Sequence, residues 1–360
     1  MKSVTAVINR QALVDNLKLI RSKVPASNLV AVVKANAYGH GLVQVARTLE
    51  PYVEAFAVAR VPEAMELKLS GIKKKIILLE GFLNAEDIPV ISEHGFYTAV
   101  HDMEQIKAIE QSHISKTINA WLKIDIGMHR LGAAEDEVAK MKQLLERSDK
   151  VAKPIGLISH LSVADTPEKD EYNQQQIEYF NKVAKCFSGD ICLANSAGII
   201  ACPNARTQWV RPGIIMYGIS PFADRTGSDL GLTPVMTLKS SLIAMRKVKK
   251  GAMVGYGAAW TAPYDTVIGI VAAGYGDGYP RSMPNGTPVR INGRNVPTAG
   301  HVCMDMLFVD LGPESTDKIG DEVILWGDGL PVERIAALAN TIPYELVCRI
   351  MPRVNIETIN

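Results

Sequence analysis

The chain lacks the features that would mark it for a nucleic acid, a membrane or an oxidising compartment. Charge of one sign is missing: 39 Lys and Arg against 38 Asp and Glu leave a formal charge of +1 over 360 residues. A nucleic-acid or anionic-membrane footprint needs a basic surplus on one face. The Lys73-Lys74-Lys75 run reads as a solvated connection. Long hydrophobic runs are missing too. Residues 191–205 are too few to span a bilayer and include Asn195, Ser196 and Pro203. The first ten residues show neither the apolar stretch nor the cleavage site of a secretory leader. Cysteine is scarce: five residues, an odd number, with no Cys-x-x-Cys pair. Reduced thiols in a cytoplasm fit this better than a disulfide framework or a zinc site. No His-x-His pair or clustered ligand set appears, so no metal is expected and a metal-dependent hydrolase is disfavoured. Internal repeats and low-complexity tracts are absent as well. The hydrophobic share of 47% with 21% charged residues is that of a globular protein, and the length suggests two domains.

Short β-branched runs alternate with helix-like stretches from about residue 30 to 218. The runs are 30–34, 55–59, 76–79, 97–100, 120–125, 156–159, 192–194 and 210–217. Helical stretches lie between them, at 63–70, 85–93, 103–109, 135–146 and 169–187. Eight strands regularly separated by helices are the arithmetic of a closed (β/α)8 barrel of the TIM type, assigned to residues 9–231. An open doubly wound sheet is the alternative. After residue 231 the pattern becomes alternating, with Asn292-Gly293 between apolar segments as a hairpin signal. Residues 232–360 therefore read as a mostly β domain with one helix near 332–340, with which residues 1–8 could pair. The fold class is α/β, a barrel followed by a mostly β C-terminal domain.

In a barrel, ligand-handling groups gather at the C-terminal ends of the strands. Lys34 closes the first run, residues 125–130 follow the fifth, His160 the sixth and Ser196 the seventh, while Arg211 opens the last. A lysine that ends an apolar run can be desolvated enough to attack an aldehyde. The loop Tyr38-Gly39-His40-Gly41 behind it offers backbone amides to a ligand. Taken singly, each of these residues is equally a surface or core residue.

The segment Ala31-Val32-Val33-Lys34-Ala35-Asn36-Ala37-Tyr38-Gly39-His40-Gly41 resembles the pyridoxal-phosphate attachment segment of alanine racemases. Trp121 to Gly132, Val210 to Gly218, Val254 to Gly257, Gly274 to Arg281 and Val302 to Met306 follow in the same family's order. The resemblance runs from Val7 to Tyr344. One departure is Ile126, where the family usually has threonine; it bears on hydrogen bonding near Arg130.

The resemblance implies an isomerase that interconverts L- and D-alanine through a pyridoxal 5′-phosphate imine, with two bases on opposite faces of the substrate. Lys34 would hold the cofactor and serve one face; Tyr256 would serve the other. A tyrosine is a poor base unless cations stabilise its phenolate, and Arg211 and His160 are the sources the resemblance offers. Arg211 would meet the pyridine nitrogen, with His160 orienting it. Tyr38, Ser196, Tyr344 and the amides of Gly213 and Ile214 match phosphate contacts. Arg130 would pair with the substrate carboxylate, and Tyr275, Met304 and Asp305 would line the substrate side. Lys123 matches a lysine that often carries a carbamate, with an ordinary Lys123–Asp125 pair as the alternative. The expected assembly is a head-to-tail homodimer with composite sites, acting in the cytoplasm on alanine to supply D-alanine for peptidoglycan or in alanine catabolism. The rival functions are a racemase of broader specificity, a basic amino-acid decarboxylase and a non-catalytic pyridoxal-phosphate carrier. Arg211 speaks against the decarboxylase, which needs an acid at the ring nitrogen, and the β domain speaks against the carrier.

Overall fold

A strand buried on both faces is apolar throughout, and the central strands of this chain have that character. The computed structural model describes residues 3–360. It opens with β1 (Thr5–Asn9) and a helix, Arg10–Lys23. Eight parallel strands follow: β2 (Asn28–Val32), β3 (Ala55–Val58), β4 (Lys75–Leu78), β5 (Tyr97–Val100), β6 (Asn119–Lys123), β7 (Gly156–Ile158), β8 (Ile191–Cys192) and β9 (Trp209–Val210). Each pairs with the next, and β9 returns to β2 through Asn28–Trp209 and Leu29–Val210, which closes the barrel. The doubly wound alternative is thereby excluded. The strands and helices lie within a unit spanning Asn16–Met216.

The lower mouth, where the strands begin, is plugged by aromatic rings. Trp121 meets Trp209 edge to face at 6.0 Å, and Tyr97 meets Trp121 at 6.3 Å. The Lys75 ammonium lies 5.0 Å from the Tyr97 ring and 5.1 Å from that of Trp209, a cation–π arrangement. Gly156 on β7 is required by this packing, since a Cβ there would sit 2.6 Å from Trp121 Nε1. With the lower end filled, the C-terminal mouth is the end left for chemistry.

Several strand boundaries differ from the sequence expectation, and two of them bear on the site. The first strand stops at Val32, and Lys34 begins a separate turn. The last apolar run, 210–217, is mostly not strand: pairing ends at Val210, and Ile214–Tyr217 forms a buried 3-10 turn. Pro212 has no N–H to give a ladder. Arg211 therefore lies just past the C-terminal end of β9, not near the start of a strand.

The second unit comprises the described residues up to Asp15 together with Tyr217–Asn360. Its strands are β10 (Met236–Val248), β11 (Met253–Val254), β12 (Trp260–Thr261), β13 (Thr266–Val271), β14 (Pro288–Ile291), β15 (Arg294–Pro297), β16 (Leu307–Gly312), β17 (Glu322–Trp326) and β18 (Asn355–Ile359). Eight strands make one sheet, in which β1 lies antiparallel to β10 and parallel to β18. The β14–β15 hairpin turns on Asn292 and Gly293, with φ of 47° and 80°, the left-handed pair of a tight hairpin turn. Two helices stand where one was expected, Val332–Leu338 and Pro343–Cys348. All five cysteines are free thiols. Among the described residues no helix is long and apolar enough to cross a membrane.

Candidate active site

Beyond β2 the chain enters an unusual turn. Ala35, Asn36, Ala37 and Tyr38 all have φ of 52–53°, the left-handed region, although none is glycine. A left-handed conformation costs roughly 1–2 kcal/mol for a residue with a Cβ. Lys34 is half-buried at the start of this turn and Tyr38 is buried at its end. Hydrogen bonds hold it: Ala37 N–H donates to Val33 O at 2.8 Å, and Leu42 N–H to Asn36 Oδ1 at 2.8 Å. His40, fully buried with its pKa lowered to about 4 by burial, donates from Nδ1 to Tyr38 O at 2.8 Å.

Arg211 is buried beside the ends of β7 and β8. Its Nη1 donates to Cys192 O at 3.2 Å and to Cys192 Sγ at 3.1 Å. Its Nη2 donates to Ser159 O at 2.6 Å and faces His160 Nδ1 at 3.4 Å. Among the described residues no acceptor meets Nε. The guanidinium is thus clamped at both η nitrogens and free to donate from the third. His160 sits well below its ordinary pKa through burial, then through repulsion by Arg211, Arg130, Lys123 and Lys34. Both effects disfavour the protonated imidazole, and His160 faces the Arg211 guanidinium from the end of β7.

Lys123 closes β6 and is 7% exposed. Burial, then repulsion by Arg211 and Arg130, lowers its pKa from 10.5 to about 8, while Glu80 acts in the opposite direction. Its Nζ donates to Leu79 O at 2.9 Å. The Lys123–Asp125 pair does not form. Asp125 instead accepts the amides of Gly127 and His129 at 2.8 and 3.1 Å and His129 Nδ1 at 3.0 Å, which hold its pKa below the usual carboxylate value although burial opposes them. Ile126 is buried, and Arg130 is exposed with no hydrogen-bond partner among the described residues.

A cradle for an anion lies beside Arg211. Ser196 starts the helix Ser196–Ala201, and Gly213 N–H donates to its Oγ at 2.9 Å. A Cβ on Gly213 would meet Tyr38 Oη at 2.7 Å. Two hydroxyls and an amide thus converge where only glycine leaves room, and Ile214 follows directly. Neutral donors of this kind can hold a phosphate ester.

In the other unit, Tyr256 is 72% exposed on the turn Tyr256–Ala258 after β11. Tyr275 lies on the turn Tyr275–Asp277 beyond β13, tied to the loop that carries Met304 and Asp305. Tyr275 N–H donates to Cys303 O at 3.0 Å and Gly276 N–H to Met304 O at 2.8 Å. Arg353 joins the two loops, donating to Asp277 at 2.7 Å and to Asp305 at 2.8 Å. Tyr344 is on the helix Pro343–Cys348, and Tyr256 belongs to a separate turn. Sequence reasoning missed Glu63, Glu80, Cys192 and Arg353. Glu80 and Cys192 carried a readable signal, because each stands at the C-terminal end of a barrel strand.

Reactive groups gathered at the C-terminal mouth of an eight-stranded barrel are how barrel enzymes are built, and this chain is of that class. Residues 8–221 match the family "Alanine racemase, N-terminal domain", and residues 235–358 match "Alanine racemase, C-terminal domain". The chain belongs to the alanine racemase family. It is 50% identical to the biosynthetic alanine racemase of Escherichia coli strain K12, over 100% of both chains. Identity to the alanine racemase of Vibrio parahaemolyticus is 51%, over 99% of both. Among solved structures it is similar to the biosynthetic alanine racemase of Pseudomonas aeruginosa, with a TM-score of 0.95 and 38% identity over 100% of both chains. The alanine racemase of Bacillus anthracis, solved with bound L-Ala-P, gives a TM-score of 0.88 at 29% identity, over 100% of this chain and 96% of that one.

Proposed function

We propose that the chain interconverts L- and D-alanine with pyridoxal 5′-phosphate held at the barrel mouth. The observation that carries this reading is the clamped guanidinium of Arg211, with an uncommitted Nε beside a hydroxyl-and-amide cradle. Those residues fit the cofactor. Tyr38, Ser196 and the amides of Gly213 and Ile214 suit its phosphate, and Arg211 backed by His160 suits its ring nitrogen. When bound, the cofactor delocalises the electron pair left behind as the α-proton departs, chemistry that no side chain supplies.

The chain's own residues do the rest. Lys34 anchors the cofactor and moves the proton on one face of Cα. The phenolic oxygen of the partner subunit's Tyr256 moves it on the other. Arg211 is a donor only, so it would hold a pyridine nitrogen through an N–H of its guanidinium and would disfavour a proton there. Such a contact would favour return of the proton to Cα over side reactions such as transamination. Arg130, without a hydrogen-bond partner among the described residues, is available to the substrate carboxylate through a forked contact. Lys123, which gives up its proton more readily than an ordinary lysine, takes up carbon dioxide as a carbamate with release of that proton, and positions Arg130. The partner subunit's Tyr275, the partner subunit's Met304 and the partner subunit's Asp305 form the substrate-side wall. A basic amino-acid decarboxylase would need an acid where Arg211 stands.

The working assembly is a head-to-tail homodimer in the cytoplasm, and its D-alanine serves peptidoglycan synthesis. Borohydride reduction of the reconstituted protein followed by peptide mass analysis tests the reading. A pyridoxyl label on Lys34 is expected; reconstitution that yields no label there overturns it. Dilution to a proven monomer should abolish turnover, and unchanged turnover per chain would remove the composite site.

A further inference from the structure

Glu63 has no part in the roles assigned so far. It stands in the first turn of the helix Val61–Leu69, just past the end of β3, and its carboxylate serves two segments. Oε2 accepts the amides of Ala59 at 2.9 Å and Arg60 at 3.1 Å, which caps its own helix. Oε1 reaches to the neighbouring segment and accepts the amide of Ala35 at 2.7 Å. Ala35 follows Lys34 and is the first of the four left-handed residues. Such a conformation persists only where its surroundings over-determine it. The turn's own backbone hydrogen bonds run within residues 33–42. Glu63 is a charged group that reaches it from a different part of the barrel.

The turn carries Lys34 at its start and Tyr38 at its end, so its handedness decides where the amine and the hydroxyl point relative to each other. We propose that Glu63 is a positioning residue for the reaction: through the Ala35 amide its carboxylate locks the left-handed turn and so aims Lys34 and Tyr38. The inference rests on the assignment of Lys34 as the attachment residue.

Glutamine at this position keeps the size of the side chain but offers one oxygen where two are used, and its NH2 would face an amide donor. The test mixes apoprotein, unaltered or E63Q, with pyridoxal 5′-phosphate. It follows the rate of covalent attachment by absorbance and locates the label after borohydride reduction, with thermal melting measured alongside. E63Q should attach roughly tenfold more slowly or worse, the scale set by loss of a charge-assisted bond to a backbone amide. Adding Ala35→Gly to E63Q should restore most of the rate, because glycine takes positive φ without steric cost. Ala35 is exposed, so that change disturbs no packing. In the otherwise unaltered chain, Ala35→Val should slow attachment in the same way, since β-branched residues resist positive φ; it carries the test if E63Q does not fold. Attachment by E63Q at the unaltered rate, or an E63Q defect that Ala35→Gly leaves in place, overturns the proposal. An unaltered chain that takes no label on Lys34 overturns the cofactor assignment itself, and that outcome is distinct from either.

Discussion

Lys123 gives the account a quantitative test. Its ammonium is almost wholly buried, with the Leu79 carbonyl as its one hydrogen-bond partner among the described residues. Burial and then the neighbouring Arg211 and Arg130 bring its pKa from 10.5 to about 8. At pH 7 this raises the neutral fraction from about 0.03% to about 9%, a gain of roughly 300-fold. The neutral amine is the form that adds carbon dioxide or an acylating reagent. We therefore expect competitive acetylation of the apoprotein over a pH series, read by peptide mass, to place the Lys123 midpoint near 8. Burial slows the reagent equally at every pH, so the midpoint and not the rate is the readout. Arg130→Gln removes a repelling charge and should raise the midpoint; Glu80→Gln removes the attracting one and should lower it. The same shift governs stability. The unfolded chain keeps this proton up to pH 10.5 and the folded chain only to about 8, so unfolding free energy rises with pH between those values. Below that window the full cost, about 3 kcal/mol, is present. Lys123→Met should recover up to that amount at neutral pH in a denaturant titration. A labelling midpoint near 10.5, or one indifferent to Arg130→Gln, would refute the reasoning.

Other substitutions probe the fold and the cradle. Gly156→Ala places a Cβ against the Trp121 ring and should cost about 1–3 kcal/mol by overpacking, measured by urea unfolding; an unchanged midpoint would contradict the plugged lower mouth. Gly213→Ala crowds Tyr38 Oη and should weaken cofactor retention about tenfold or more in dialysis, with little change in thermal stability of the apoprotein. We propose that Tyr344 also narrows the substrate entry; Tyr344→Ala should then broaden acceptance of larger side chains, and no gain with any larger amino acid would remove that role.

Much of the barrel was legible because its strands are short, apolar and regularly spaced. Closure was not, since a closed barrel and an open sheet bury strands in the same way; the Asn28–Trp209 pairing decides it. The final run misled for a physical reason. Ile214, Ile215, Met216 and Tyr217 are buried, as strand residues would be, but the backbone bonds to neighbouring barrel segments end with Arg211 to Ala194 and Val32 to Pro212, and the chain turns away at Gly213. The left-handed turn after Lys34 was invisible because alanine and tyrosine carry no preference for it, and a carboxylate far along the chain holds it. Glu63 acts through backbone amides, which leave no residue pattern to read, and Arg353 pairs with Asp277 and Asp305 at separations of 76 and 48 residues, too long for a local pattern to show. The helix that bears Tyr344 is only six residues long, too short for a period to show. The cysteines suggested free thiols correctly, but not that Cys192 would lie against Arg211.

Racemisation itself is the central claim, and proton exchange tests it most directly. The protein, reconstituted with pyridoxal 5′-phosphate, would be given L-alanine in D2O and sampled early by chiral chromatography and mass analysis. Two bases on opposite faces predict D-alanine that carries deuterium at Cα, while recovered L-alanine stays largely unlabelled. At completion the two enantiomers should be equal in amount, since they are equal in energy. No D-alanine, with L-alanine recovered intact, would contradict the account.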